Sequence, residues 1–249
     1  MREARRIKQL KNRAYSGTQG ANRKIFCQTY RETLTRIGAK TETQFAAKLS
    51  LLGEKVSCAK GCAICCFQHI SAPAAHCIAV VDFLYEKDLV LSRFLDNYQS
   101  WEEKAGNLSE EIDTAYNAAI DPAHTLISGA AGKALSRSYF ERRVPCPFLV
   151  DSACSIYEVR PICCSAHRAV TPREWCDPAD THHGRTYEAV PAGSDLQGLV
   201  GLAPLRLSLY HGTLPMMVYR MLTQSLTDIL AAIDRDFPDL AGLSDQFEV

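Results

Sequence analysis

The chain has 249 residues, which is enough to bury a substantial hydrophobic core without disulfides. Its 47% hydrophobic residues exclude a disordered or fibrous protein, and the balance of 28 basic against 28 acidic residues argues against a nucleic-acid partner. The charge is uneven at one end, because residues 1–13 are strongly basic. Such an end can bind an acidic partner or RNA, but a solvated, partly frayed terminus is more common and is predicted here.

The sequence predicts a cytoplasmic protein with no membrane association. No apolar stretch follows the charged start, so a secretory signal is not expected. The longest apolar runs, such as 77–81, are far too short to cross a bilayer. A reducing compartment would keep the 11 cysteines as free thiols that are available to metals.

Helical patterns dominate the first half of the chain. Apolar spacing predicts a helix over 22–37, and Thr41 with Gln44 resembles a capping box that would start a second helix ending at Gly53. The cysteine-rich stretch 58–66 has no periodicity and is predicted to be a loop. Pro73 then suits the first turn of a further helix.

Two more helices are predicted over about 88–119 and 122–140, and a final one over 215–234. Between 145 and 181, five prolines interrupt any long helix, so only short strands fit, near 148–150 and 155–157. The predicted fold is therefore mainly α, with helices around an irregular cysteine-rich metal-binding centre and at most short strands.

The predicted organisation has three parts. A basic tail and helical extension cover 1–54, the cysteine-cluster metal-binding domain covers 55–180, and a helical segment packing on the same core covers 181–249.

Eight cysteines fall into two groups along the chain. The first group has the spacing C-x3-C-x2-C-C and the second is more widely spaced; the members are Cys58, Cys62, Cys65 and Cys66, and then Cys146, Cys154, Cys164 and Cys176. Zinc ions and iron–sulfur clusters each take four protein ligands, commonly thiolates, so eight cysteines suffice for two sites. Gly61 would help the loop to wrap around a metal.

The adjacent pair Cys65–Cys66 constrains this assignment. Side chains of neighbouring residues diverge, so both are poorly placed to bind one ion. We expect them to serve different centres, or one of them to bridge two centres.

The alternative interpretation is that the thiols are buried as small hydrophobic groups. It is preferred for Cys27 and Cys77, which lie in apolar helical patterns, and for Cys163. Four cysteines within nine positions rarely arise by chance, so metal binding is preferred for the eight.

The first cluster is followed downstream by three further motifs: Cys146 before Pro-Phe-Leu, Cys154 before Ser-Ile-Tyr, and Arg160-Pro161 before a Cys-Cys pair. Together these motifs resemble the YkgJ-type cysteine-cluster family. The resemblance covers about 55–180 and implies a zinc- or iron-chelating domain with these eight cysteines as ligands. Relatives include a flagellin lysine N-methylase, so the resemblance also allows an iron–sulfur-dependent enzyme, acting on a protein substrate or in redox chemistry.

The chain departs from the family pattern at two places. Ser165 stands where the family usually has Arg, and Cys163 creates an unusual Cys-Cys pair. The stretch after the first cluster also lacks an acidic residue. If these groups serve a substrate, the activity is lost or changed in this chain; if they support the fold, Arg168 could replace the missing charge.

Ligand type does not choose between zinc and iron–sulfur. The C-x3-C-x2-C spacing also resembles the triad of radical S-adenosylmethionine enzymes, but no alternation of strands and helices or Gly-rich turn supports a site for S-adenosylmethionine. The histidines His167, His182 and His183 are predicted to lie near the metal or in solvent without binding it. Arg160 either offsets the charge of the thiolates or pairs with Glu158.

Overall fold

A computed structural model describes residues 2–59, 61–118, 130–177 and 179–224, together with residues 229 and 231. The helices in this part of the chain are α1 (Arg2–Ala14), α2 (Gly17–Leu51), α3 (Ala74–Glu86), α4 (Asp88–Ala118), α5 (Ala130–Glu141), α6 (Ile162–Ala166), α7 (Gly193–Val200), α8 (Leu205–Leu209) and α9 (Leu214–Thr223). Short 3-10 helices lie at Ile64–Phe67, Tyr157–Val159 and Arg173–Cys176.

Among the described residues, six short strands form three antiparallel pairs. They are β1 (Ser71–Pro73) with β6 (His211–Thr213), β2 (Leu149–Val150) with β3 (Ala153–Cys154), and β4 (His167–Ala169) with β5 (Thr186–Glu188). The predicted mainly α class is confirmed, since the strands span only two or three residues each. Within the described ranges, no helix is both long and apolar enough to span a bilayer.

Helix α3 is the centre of the core. Every residue from Ala74 to Tyr85 is buried, and α2, α4, α8 and α9 pack around it. A helix that is apolar on all sides is stable only when it is surrounded in this way. Pro73 is the last residue of β1 and comes directly before the helix, whereas the sequence placed it in the first helical turn.

The prediction of two helices before residue 53 is wrong, because α2 is continuous. Its buried residues keep helical spacing throughout, and Thr41 takes its place in that buried row instead of capping a new helix. The predicted end is confirmed: Gly53 has a φ of +67°, the left-handed conformation that commonly terminates a helix.

The N-terminal residues form helix α1 and not the predicted frayed end. Ile7 is buried, and α1 packs against α9. The guanidinium of Arg6 donates to the carbonyl of Thr223, and the ammonium of Lys11 donates to the carbonyl of Tyr85 at 2.5 Å. Burial of one apolar row and these hydrogen bonds therefore hold a strongly basic helix on the core.

The predicted helices over 88–119 and 122–140 correspond to α4 and α5, although 122–129 lie outside the described residues. The predicted strand at 148–150 is confirmed as β2, but its partner β3 comes earlier than the predicted 155–157. The final helix is confirmed as α9 over its first part, but the prediction of a continuous helix is wrong at Gln224, whose extended backbone ends α9 after Thr223. Most of 225–234 lies outside the described residues.

One core includes residues from all three predicted segments, for example Leu34, Phe94 and Leu222. Strand β6 is also tied to α4, because the carboxylate of Asp113 accepts hydrogen bonds from the Thr213 N–H at 2.8 Å and from its hydroxyl at 2.7 Å. The division into three parts stays a prediction.

His76, on α3, provides a test of the buried core. Burial lowers the pKa of this imidazole from 6.5 to about 4, although its ring nitrogen lies 2.9 Å from the carbonyl of Val159. Because the folded-state pKa lies below the unfolded one, the neutral ring stabilises the fold above pH 6.5, and this contribution is lost as the pH falls towards 4. We expect a loss of about 3 kcal/mol over that window.

Urea unfolding at pH 7.0 and 4.5 measures this loss, and comparison with a variant cancels any pH dependence that both proteins share. The matched variant His76→Gln is expected to be less stable at pH 7 but to lose clearly less stability between the two pH values. An equal pH dependence for the variant and the unmodified protein would contradict the assignment to His76.

Candidate metal centre

The loop 52–70 carries the first four cysteines and is fixed at its start by strand β4. The N–H of Ser57 donates to the carbonyl of Ala169 at 2.8 Å. Gly61 has a φ of +89°, so the chain reverses there in a conformation that favours glycine. The loop prediction for 58–66 is confirmed, apart from the short 3-10 helix at Ile64–Phe67.

The second four cysteines are brought to this loop from separate short elements. The N–H of Cys146 donates to the carbonyl of Cys66 at 2.8 Å, and Cys154 lies on β3 opposite Leu149. Cys164 lies on α6, and Cys176 ends a 3-10 helix that packs against Ile64–Phe67.

One group of thiols consists of Cys66, Cys146, Cys154 and Cys164. The pKa of Cys164 is raised by its hydrogen bond to Cys163 and by burial, and the nearby Cys146 and Cys154 raise it further. The pKa of Cys66 is raised mainly by its hydrogen bond to Cys65 and by burial, and Cys146 and Cys154 raise it further. Charges alter a pKa appreciably only at limited range, so Cys146 and Cys154 lie in the vicinity of both Cys66 and Cys164.

A second group consists of Cys58, Cys62, Cys65 and Cys176. Burial raises the pKa of Cys176, and the next three causes are the charges of Cys58, Cys62 and Cys65. Cys176 therefore joins the first loop although it follows that loop by more than a hundred residues.

The Cys65–Cys66 pair lies between the two groups. A hydrogen bond from the Cys66 thiol lowers the pKa of Cys65, and the same contact raises that of Cys66. Cys65 also raises the pKa of Cys146, where burial is the main cause. Cys65 is thus close to thiols of both groups, whereas Cys66 lies with Cys146 and Cys154.

Backbone N–H groups donate to several of these sulfurs. The N–H of Ala169 lies 3.3 Å from the Sγ of Cys58. Burial raises the pKa of Cys146 to about 12, and the N–H of Phe148 opposes this by donating to the sulfur. Such hydrogen bonds favour the thiolate, which is the form that binds metals.

Two arginines add positive charge beside the thiols. Arg160 lowers the pKa of Cys154, although burial raises it overall, and Arg160 and Arg168 both lower the pKa of Cys65. The guanidinium of Arg160 lies 4.0 Å from the ring centroid of Tyr157. Both Arg160 and Glu158 are among the described residues, and no ion pair joins them. Arg168 is paired with Glu42 on α2.

The histidines near the cysteines have other contacts or are exposed. The ring of His182 stacks on that of Trp175, with centroids 4.5 Å apart, and its Nδ1 lies 2.9 Å from Asp180. His167 and His183 are exposed. The stack beside Cys176 was not predicted, although Trp175 directly before a cysteine was visible in the sequence.

The remaining cysteines divide into two kinds. Cys27 and Cys77 are fully buried in the core, which confirms their predicted packing role. The same prediction is wrong for Cys163: it is exposed, and its thiol lies 3.5 Å from the carbonyl of Ser71.

The thiols in each group are neighbours but do not surround a common point. Among the described residues, no three His, Cys, Asp or Glu side chains are arranged to hold a metal ion. The chemistry of the donors nevertheless fits a thiolate-bound metal. The position of a cysteine sulfur also changes by rotation about a single side-chain bond.

Comparisons with known proteins do not identify a family. No family model matches the chain, and no curated protein or solved structure matches it either. The resemblance to the cysteine-cluster family therefore depends on the motifs alone.

Proposed function

We propose that the chain binds two metal centres through eight cysteine thiolates, each centre a zinc ion or an iron–sulfur cluster. The first centre would use Cys58, Cys62, Cys65 and Cys176, and the second would use Cys66, Cys146, Cys154 and Cys164. The observation that carries the proposal is that the fold brings the two cysteine clusters together: the N–H of Cys146 donates to the carbonyl of Cys66 at 2.8 Å, and the 3-10 helix that ends at Cys176 packs against the one that holds Cys65 and Cys66. The mutual effects of the thiols on their pKa values favour this division into two sets of four. Four thiolates are the ligand set that both kinds of centre take.

The surroundings of the thiols support the same proposal. Arg160 and the N–H donors would offset the negative charge of four thiolates held together, and such contacts tune metal centres. A cytoplasmic location, which would keep the thiols reduced, is part of the proposal. The alternative that the resemblance allows, an iron–sulfur-dependent enzyme such as a lysine N-methylase or a redox protein, stays a prediction; no sequence motif supports S-adenosylmethionine as a cofactor.

Metal analysis of the full chain, purified without oxygen, tests the proposal. We expect about two zinc ions per chain in a colourless protein, or iron and sulfide with broad absorbance near roughly 400 nm. The variants Cys176→Ser and Cys146→Ser should each lose about half of the metal, because each removes a ligand from a different centre. The buried cysteines supply matched controls, since Cys27→Ala and Cys77→Ala should keep the full content.

Two results would count against the two-centre assignment. One is a purified chain without stoichiometric metal. The other is a single ion that either Cys176→Ser or Cys146→Ser removes completely. Cys65→Ser then separates a terminal ligand from a bridging one, because only a bridging cysteine would be needed for both centres.

A further inference from the structure

A cavity of about 270 Å³ lies away from the cysteines, where the end of α1 and the start of α2 meet α3 and the end of α9. Two arginines, Arg13 and Arg23, line it. No aspartate or glutamate is among the described residues that form its walls. The cavity is therefore positively charged without an internal counter-charge.

Arg23 is only partly satisfied by the protein. One of its terminal nitrogens donates to the carbonyl of Ala14, but its Nε is buried without a hydrogen-bond partner. A buried N–H without an acceptor is costly, so the protein supplies this guanidinium with fewer acceptors than it can use. Burial also lowers the pKa of Arg23, because the protein interior disfavours its charged form.

The nearest acidic groups are already paired on the other side of Tyr15. Asp82 lies 2.9 Å from the ammonium of Lys24, and it also accepts a hydrogen bond from the Tyr15 hydroxyl at 2.7 Å. Glu86 is paired with Lys24 and Arg31. These carboxylates balance other cations, so they leave the charge of Arg13 and Arg23 unmatched.

The remaining walls combine an apolar part with neutral polar groups. Leu10, Ile78, Val81 and Met221 supply the apolar part. Ser16 and Gln19 belong to the amino end of the 35-residue helix α2, whose dipole places positive partial charge there. Anions bind favourably at such an end.

We propose that this cavity binds a small organic carboxylate with a short apolar tail. The carboxylate would lie between the guanidinium groups of Arg13 and Arg23. The tail would contact Ile78 and Met221. Pockets for small molecules typically combine apolar walls with a few polar groups that fix orientation, and this volume suits a ligand of roughly ten non-hydrogen atoms.

Calorimetric titration of the full chain with hexanoate, hexanamide and inorganic phosphate tests this proposal. We expect hexanoate to bind, its neutral amide to bind at least about tenfold more weakly, and phosphate to bind more weakly than hexanoate because it has no apolar part. Phosphate binding as tightly as hexanoate would overturn the apolar part of the proposal. Absence of hexanoate binding would overturn all of it.

Variants assign the binding to this cavity. Arg13→Gln and Arg23→Gln should each weaken hexanoate binding by about tenfold or more. Arg36→Gln is the matched control, because Arg36 is an exposed arginine of the same helix and lies outside the cavity. Arg13 is exposed, so its variant is expected to fold even if Arg23→Gln does not. Equal affinities for Arg13→Gln, Arg36→Gln and the unmodified protein would overturn the assignment.

Discussion

Replacement of Gly20 by alanine is expected to destabilise the protein by at least about 3 kcal/mol, because backbone atoms occupy the space that a side chain needs. A Cβ atom on Gly20 would lie 2.2 Å from the carbonyl carbon of Tyr15 and 2.6 Å from its Cα. Neither atom belongs to a flexible side chain, so the turn between α1 and α2 would have to move.

Thermal unfolding measures this effect, and Gly38 provides a matched control on the same helix. Gly38 is exposed in α2, and a Cβ there would meet nothing within 4 Å. Alanine is the better helix former, so Gly38→Ala should raise stability by about 1 kcal/mol. For a chain of this length, about 3 kcal/mol corresponds to a fall in Tm of roughly 6–12 °C.

The two variants separate a steric cause from a general effect of alanine in α2. If Gly20→Ala were as stable as Gly38→Ala, the close approach of Tyr15 to α2 would be wrong. Gly20 also lines the cavity, so its variant should bind hexanoate more weakly even at temperatures where it remains folded.

Local sequence patterns predicted α3, α4 and α5 and the start of α9, but not α1 or α8. α4 could be predicted because its apolar residues repeat at helical spacing over many turns. α2 was divided wrongly because Thr41 and Gln44 match a capping box, while the burial that makes Thr41 an interior residue depends on tertiary packing. Capping motifs state a local preference, and tertiary contacts override it.

The short strands could not be predicted in the same way. β1 and β6 have three residues each, which is too short for a periodic signal, and they are far apart in the chain. Strand β6 is positioned by Asp113, whose carboxylate accepts hydrogen bonds from the backbone N–H and the hydroxyl of Thr213. These two residues are 100 positions apart in the sequence. No local pattern contains that contact.

For the candidate site, spacing singled out eight cysteines but did not indicate how the fold groups them. The first four cysteines are close in sequence, which suggested one set, yet Cys176 lies near Cys62, and Cys66 near Cys146. The only sequence signal for this different grouping was that the side chains of the adjacent Cys65 and Cys66 must diverge. The exposed position of Cys163 was missed because its neighbours along the chain are apolar, and α6 is too short to bury them all.

Removal of the proposed metal is expected to loosen residues 146–176 while the helices around α3 stay folded. The two regions are held by different interactions. Twelve consecutive residues of α3 are buried among four other helices. The cysteine segments contribute only scattered core residues, Phe148, Ile156 and Val159, and are otherwise held by strands of two or three residues and single backbone hydrogen bonds. Thiolate–metal bonds would contribute about 10 kcal/mol or more to such a segment, and their loss would leave its thiols without a shared partner.

Hydrogen exchange before and after treatment with a chelator measures this difference. We expect amide protection in 146–176 to fall by about 100-fold or more, with little change in α3 and α9. A sample kept in reductant without chelator is the control, because oxidation of the thiols would also disturb the segment. Equal loss of protection in α3 would mean that the metal supports the whole fold, and no loss in 146–176 would contradict a role for metal in ordering it.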